Sequence, residues 1–160
     1  MYGARSVGVE GSLAWSAPGD WLSFDANATY QSFRNTSDDG LFVLFQGDRI
    51  PNRPWLFANA ALRVRRRAAL VAGDEVALIS YARYVHEFLR GWESIGVAEY
   101  KQVVPGYVVV SLGATYTVAT ASSQLASTLE IQNLTDELVQ DFYGVQRPGR
   151  SVSAKLSMSY

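Results

Sequence analysis

A regular alternation of apolar and polar residues runs through much of the sequence and constrains its fold more than any other feature. In Leu22–Gln31 every second residue is apolar, and the residues between them are Ser, Asp, Asn, Thr or Gln. Successive side chains of a β-strand point to opposite faces, so this period predicts strands with one apolar and one polar face. The same pattern returns in Pro54–Arg65, Gly106–Val118, Gln124–Gln132 and Ser151–Tyr160.

The sequence predicts about seven strands of roughly 10–14 residues, although the period is less clear in Gly3–Ser16 and Val76–Phe88. The predicted connections alternate between short and long. Short turns are predicted at Ala17–Asp20, Ala72–Glu75 and Ala119–Ser123, and long loops at Asn35–Arg53, Gly91–Pro105 and Asn133–Gly149. In an antiparallel meander this places all short turns at one rim and all long loops at the other.

The length of the strands favours a membrane barrel over a soluble sandwich. About 10 residues at about 3.3 Å each, tilted near 45°, rise about 23 Å, close to the roughly 25 Å apolar band of outer-membrane barrels. Strands of soluble proteins more often have about 5–6 residues. The predicted fold class is therefore all-β, an antiparallel up-and-down transmembrane β-barrel segment with short periplasmic turns and long extracellular loops. The last strand, ending on Tyr160, is expected at the closing seam of the barrel.

The two faces of the predicted strands are expected to meet different surroundings. The apolar face, a mixture of Leu, Val and Ala with aromatic residues near strand ends, would contact lipid. The polar face would line a water-filled lumen. Its predicted lumen-facing residues are Asp25, Asn27, Gln31, Asn59, Arg63, Glu130 and Lys155.

Composition argues against several classes of function. The net charge is −1, so no global electrostatic attraction to nucleic acid is expected, and the basic run Arg63–Arg67 is interpreted as solvating the lumen and the interface. The sequence has no Cys and a single His, His86, for which a structural role is favoured over metal binding. No nucleophile elbow or phosphate loop is present. We therefore expect no enzymatic activity, no metal and no cofactor.

Four stretches of the sequence resemble the final part of TonB-dependent outer-membrane receptors: Gly47–Val64, Ala82–Gly96, Glu130–Glu137 and Asp141–Tyr160. In that family an Asn-Leu-x-Asp/Asn segment follows the penultimate strand. A Tyr-Gly-x-x-x-Pro-Gly-Arg segment then leads into a last strand that ends on an aromatic residue. The matching positions are Asn133, Leu134, Asp136, Tyr143, Gly144, Pro148, Gly149, Arg150 and Tyr160.

The resemblance implies that residues 1–160 form the C-terminal part of such a receptor barrel, without its plug domain and earlier strands. It implies a place in the outer membrane of a Gram-negative bacterium, in contact with outer-membrane lipid. The implied function is TonB-energised uptake of siderophore-iron or another scarce, bulky solute. Further implied partners are the plug domain, the remaining strands, the TonB complex acting through the missing part, and the barrel-assembly machinery, which would read Tyr160 as its signal.

Two groups of loop residues have different expected roles. Possible ligand contacts are Asp48, Arg49, Arg53 and Trp92. A structural role is expected for Asn133, Leu134, Pro148, Gly149 and Arg150, with the Arg150 guanidinium paired to Asp136 or Asp141. Two alternatives for the whole chain stay open: a passive or structural outer-membrane barrel, such as a small pore or an autotransporter translocator, and a soluble β-sandwich binding module.

Overall fold

A computed structural model describes residues 3–94 and 102–160, and an antiparallel sheet of seven strands dominates it. Within these residues, four short strands lie in the connections, together with two short 3₁₀ helices at Gly40–Phe45 and Trp92–Ser94. The strands in chain order are β1 (Ala4–Ser16), β2 (Leu22–Asn35), β3 (Leu56–Arg67), β4 (Asp74–Val85), β5 (Phe88–Leu89), β6 (Val103–Val104), β7 (Tyr107–Ala119), β8 (Gln124–Gln132), β9 (Gln140–Phe142), β10 (Val145–Gln146) and β11 (Ser151–Ser159).

The large sheet is a simple meander in the order β1-β2-β3-β4-β7-β8-β11. Short turns join β1 to β2, β3 to β4 and β7 to β8 at one rim, hereafter the short-turn rim. The opposite long-loop rim carries loop 1 (36–55), loop 2 (86–106) and loop 3 (133–150). The predicted alternation of connection lengths is therefore confirmed, although residues 95–101 of loop 2 lie outside the described residues. Strands β1 and β11 both run from the long-loop rim to the short-turn rim.

The strand register gathers apolar side chains on one side of the sheet, hereafter the apolar face. Its two central rows are Leu13–Ala26–Ala60–Ala82–Val110 and Leu22–Val64–Leu78–Ala114–Leu129–Ala154. Charged residues at apolar-face positions of the seven strands lie first or second from a strand end: Arg5, Arg34, Arg66 and Asp74. Leu156 and Met158 are 71% and 66% exposed, so this face is open to its surroundings.

The opposite side of the sheet, hereafter the polar face, carries all seven residues that the sequence predicted to share one face. The Asn59 amide nitrogen donates to the Asn27 side-chain oxygen across β2 and β3, at 2.9 Å. Near the long-loop rim the Gln31 amide donates to the Pro54 carbonyl at 2.7 Å. Side-chain hydrogen bonds thus join β2 to β3 and to the end of loop 1, in addition to the backbone ladder.

The buried apolar cluster of the described protein lies on the polar face, under the long loops. It consists of Val85, Phe88, Val104, Tyr107 and Val139, each at most 4% exposed. Val85 of β4 and Tyr107 of β7 are register partners in the sheet, and the other three residues come from loops 2 and 3. These loops therefore fold back over the sheet and bury apolar surface against it.

The sheet is open at both edges, and the last strand, which the sequence predicted at the closing seam of a larger barrel, forms one of them. Strand β1 pairs only with β2, and β11 pairs only with β8, within the described residues. The all-β, antiparallel part of the predicted fold is shown, whereas no closed barrel forms among these strands. No helix in the described part of the chain is long and apolar enough to cross a bilayer.

One buried carboxylate organises the turn between β3 and β4. Asp74 is 3% exposed, and its side chain accepts hydrogen bonds from the backbone N–H groups of Ala69, Leu70 and Val71 at 2.7–3.0 Å. The Tyr116 hydroxyl donates to the same carboxylate at 3.0 Å. Asp74 therefore satisfies three turn amides and ties the turn to β7.

Replacing Asp74 with alanine is expected to loosen this turn, because three partly buried turn amides lose their acceptor together. Hydrogen exchange of the Ala69, Leu70 and Val71 amides should become faster, while the centre of β3 keeps its protection. Asp74→Asn is the matched control. It keeps one acceptor oxygen without the charge, and it should give an intermediate exchange rate. Unchanged exchange in Asp74→Ala would show that the carboxylate does not hold the turn.

Candidate functional site: an arginine-lined recess on the polar face

The three long loops contact one another above the polar face, and Asn52 of loop 1 joins all three. Its backbone N–H donates to the Leu89 carbonyl of loop 2 at 2.7 Å. Its side-chain oxygen accepts from the Tyr143 backbone N–H of loop 3, also at 2.7 Å. Asn52 has a φ of 55°, a conformation that Asn adopts more readily than most residues. One residue thus holds the loops together as a lid over the sheet.

Aromatic and charged groups reinforce the contacts between loops. Trp92 packs on Phe42 and Phe45 of loop 1, with ring centroids 4.9 and 5.2 Å apart. The Arg90 guanidinium lies 4.9 Å from the ring centre of Tyr143 in loop 3. Arg90 also donates a hydrogen bond to Glu93 at 2.7 Å, which lowers the pKa of the Glu93 carboxyl below its ordinary value. Glu93 therefore stays ionised beside the arginine.

A charged group of side chains lies beneath this lid, between the sheet and loop 3. Asp141 of loop 3 accepts from Arg83 of β4 at 3.1 Å and from the Tyr107 hydroxyl at 3.2 Å. Its second carboxylate oxygen accepts from the Arg147 Nε. The Asp141 side chain is 23% exposed, against 39% for Arg83 and 50% for Arg147. One carboxylate therefore lies between two guanidinium groups that both remain accessible.

Two recesses of about 380 and 430 Å³ flank this group and share Arg83 and Arg147 in their walls. The smaller also contains Arg53 and Gln31, and the larger is lined by the Asn133 and Gly149 region of loop 3. We treat the two together as the arginine recess. The Arg53 guanidinium lies 5.3 Å from the ring centre of Phe33, and no carboxylate of the described residues pairs with it.

Of the four loop residues predicted to contact a ligand, the structure brings one into this recess. Arg53 lines it, whereas Arg49 stacks on Trp55 at 4.6 Å from the ring centre. Asp48 contributes its backbone carbonyl to the Asn35 N–H at 2.9 Å, beside the end of β2. Trp92 belongs to the aromatic contacts of loops 1 and 2. The four residues therefore do not form one site.

The sequence did not identify the other charged members of the recess as ligand contacts. Arg83 lies in the stretch where the two-residue period is unclear, and only the register of β4 shows that it shares the polar face with Val85. For Asp141 the sequence predicts only a pairing with Arg150. Arg147 carries no local sequence signal, because its position depends on how loop 3 folds back.

Among the predicted lumen-facing residues, Gln31 lines the recess. The remaining six lie elsewhere on the polar face, and four of them, Asp25, Asn27, Asn59 and Arg63, are exposed in β2 and β3. Of the basic run, Arg65 and Arg67 approach Glu75 at 3.8 and 3.5 Å at the short-turn rim. These residues form a hydrophilic surface that continues below the recess.

Of the residues expected to have a structural role in loop 3, Asn133 and Arg150 make hydrogen bonds within the loop, and one predicted contact is corrected. Asn133 has a φ of 52° and is 5% exposed, and its side chain both donates to the Glu137 carbonyl and accepts from the Glu137 N–H, each at 2.8 Å. Asp136 does contact Arg150, but through the Arg150 backbone N–H at 2.7 Å. The predicted guanidinium pair is wrong: that group approaches the Leu134 carbonyl at 3.5 Å, and Asp141 is occupied by Arg83 and Arg147.

The donor set of the recess suits the recognition of oxygen atoms. Guanidinium groups are permanently charged and only donate hydrogen bonds, in a planar fork that matches carboxylate and phosphate geometry. Within residues 3–94 and 102–160 no group of three or more His, Cys, Asp or Glu side chains is placed to hold a metal ion. No family model, no curated protein and no solved structure matches this chain.

Proposed function

We propose that this chain is the C-terminal part of the β-barrel of a TonB-dependent outer-membrane receptor. It would contribute seven membrane-crossing strands to the energised uptake of siderophore-iron or another scarce, bulky solute. The observation that carries the proposal is the apolar face, which extends over all seven strands and is exposed in the described residues. The residues of loop 3 and of the final strand that resemble the receptor motif favour a TonB-dependent receptor over other outer-membrane barrels.

The distribution of charge and aromatic residues supports contact between the apolar face and lipid. A charge on the lipid side costs most at the bilayer midplane and little near the interfaces, and charged residues on this face occur only near strand ends. Trp15 and Tyr116 lie on it towards the short-turn rim, and Tyr30 and Tyr84 towards the long-loop rim. Two aromatic girdles at the interfaces are a feature of outer-membrane barrels.

The remaining parts of the proposal follow from this orientation. The polar face would look into the lumen, with the long-loop rim outside the cell and the short-turn rim in the periplasm. The plug domain and the other strands would close the barrel, because unpaired backbone groups are costly in lipid. The TonB complex would act through the plug. Tyr160, whose side chain is fully exposed, would be read by the barrel-assembly machinery.

A soluble sandwich would hide the apolar face against a second sheet. In the described residues the short strands of loops 2 and 3 belong to segments that cover the polar face instead, and Leu112 remains 40% exposed on the apolar one. A passive or structural barrel shares the same apolar face. Coding sequence upstream of these residues separates it from a receptor: a receptor would carry a plug domain, and an autotransporter a passenger domain.

The experiment that tests the proposal is insertion into lipid. The chain, refolded from urea with phosphatidylcholine vesicles, is expected to float with them through a density gradient and to resist extraction by urea. In the barrel that the missing strands complete, polarised infrared spectroscopy of oriented bilayers should give strands tilted by about 35–45° from the bilayer normal. A chain that stays in the aqueous fraction, or that carbonate or urea removes from the vesicles, would contradict the membrane assignment.

A further inference from the structure

The arginine recess holds more positive charge than its own carboxylate neutralises. Three positively charged side chains line it, those of Arg53, Arg83 and Arg147, against one negatively charged side chain, that of Asp141. Arg83 and Arg147 keep 39% and 50% of their side-chain surface, and Arg53 is exposed, so all three are open to a solute. A structural salt bridge between Arg83 and Asp141 would need neither Arg147 nor Arg53.

The positions of these groups favour an oxygen-rich partner. Arg147 and Arg83 approach opposite oxygens of the same carboxylate, and Tyr107 donates to it as well. The Asp141 carboxylate thus shows where an anion sits when two guanidinium groups and a hydroxyl converge. Arg53 lines the same recess, stacked on an aromatic ring and without a carboxylate partner among the described residues.

We propose that the arginine recess binds a small organic polyanion carrying two or more carboxylate or phosphate groups. One anionic group would bind Arg53, and a second would compete with Asp141 for Arg83 and Arg147. Asp141 then acts as an internal counter-ion that keeps loop 3 against the sheet when the recess holds no ligand. The recess has room for a molecule of this class, since binding pockets for small ligands begin at about 300 Å³. This inference rests on the proposed function, in which the chain takes part in solute uptake and the recess is a place where a solute binds.

Citrate, a trivalent carboxylate, is the probe for the test, and acetate is the monovalent comparison. Binding to the full chain in a zwitterionic detergent is measured by isothermal titration calorimetry at low ionic strength, where exposed charges are least screened. Citrate is expected to bind at least about tenfold more tightly than acetate, because more charged hydrogen bonds form. Equal affinities for the two anions would overturn the proposal.

Three variants separate specific recognition from general attraction of anions. Arg53→Gln is expected to weaken citrate binding about tenfold, and Asp141→Asn to strengthen it, because the internal competitor is removed. Arg66→Gln, at the short-turn rim and outside the recess, should leave it unchanged. Equal losses in Arg53→Gln and Arg66→Gln, or weaker binding in Asp141→Asn, would overturn the assignment. A gain of affinity in Asp141→Asn cannot come from misfolding.

The outcome is distinguishable from that of the membrane test. Flotation with vesicles but no preference for citrate over acetate would overturn the polyanion site and leave the proposed barrel. A preference for citrate with the expected pattern of variants, but without insertion into vesicles, would overturn the receptor and leave an anion-binding protein.

Discussion

Ala60→Arg should weaken the association of the chain with phosphatidylcholine vesicles by about 2–4 kcal/mol. Ala61→Arg should change it by less than about 0.5 kcal/mol. The two alanines are neighbours in β3, both are half-buried, and they lie on opposite faces of the sheet. The two variants therefore have the same substitution, in the same strand and at nearly the same position along it. Only the surroundings of the new side chain differ.

The difference follows from where each guanidinium would lie. Ala60 is in a central row of the apolar face, between Ala26 and Ala82, far from the interfacial ends of the strand. An arginine there would put a charge into hydrocarbon. Ala61 is on the polar face in register with Asp25 and Tyr81, where a cation would meet water and a nearby carboxylate.

Vesicle flotation at increasing urea concentration gives the free-energy difference between each variant and the original chain. Circular dichroism in detergent should give equal strand content for both variants, which shows that the backbone fold is kept. Losses of the same size in Ala60→Arg and Ala61→Arg would mean that the two faces meet similar surroundings, and lipid contact of the apolar face would then be excluded.

The second large effect concerns the lid formed by the long loops. Phe88→Ala should destabilise the packing of loops 2 and 3 on the sheet by about 3–5 kcal/mol, the usual cost of removing a buried aromatic ring. Phe88 is 3% exposed and lies in the cluster that also contains Val104 and Val139. Because this cluster covers only one end of the polar face, the centre of the sheet should remain folded.

Hydrogen exchange followed by mass spectrometry measures the protection of the loops and the protection of the sheet separately. Peptides from loop 3, including the Arg147 amide that donates to the Val139 carbonyl at 3.0 Å, should lose protection in Phe88→Ala. Peptides from β2 and β3 should keep it. Phe142→Ala is the matched control, since Phe142 is 50% exposed and its removal should have little effect. Global loss of protection would show that the cluster supports the whole sheet rather than the lid.

The strands were predictable because, along most of each strand, one face meets a single kind of environment and the opposite face meets another. In β2 the apolar and polar sets separate cleanly, and the predicted segment Leu22–Gln31 lies within the observed strand. The period weakens in β4 for a physical reason. Near the long-loop rim its polar-face position Val85 is buried under the loops, so an apolar residue occupies a face that is otherwise hydrophilic.

The arginine recess was much less predictable than the strands. Arg53 could be proposed from its place in a long loop, but Arg83 and Asp141 are separated by 58 residues and meet only because loop 3 folds back. Such a fold depends on contacts between loops, for example those of Asn52 with Leu89 and Tyr143, which no local period encodes. The sequence predicted structural roles for Asn133 and Arg150 in loop 3, but it gave no geometry for the recess.

The common direction of the two edge strands has an arithmetic consequence. Strands β1 and β11 point the same way, so a single strand that ran antiparallel to one edge would also run antiparallel to the other. Any all-antiparallel cylinder that incorporates this sheet must therefore add an odd number of strands to its seven and contain an even total. Two copies of this sheet, inserted in the same orientation, would meet with parallel edges and could not complete such a cylinder by themselves.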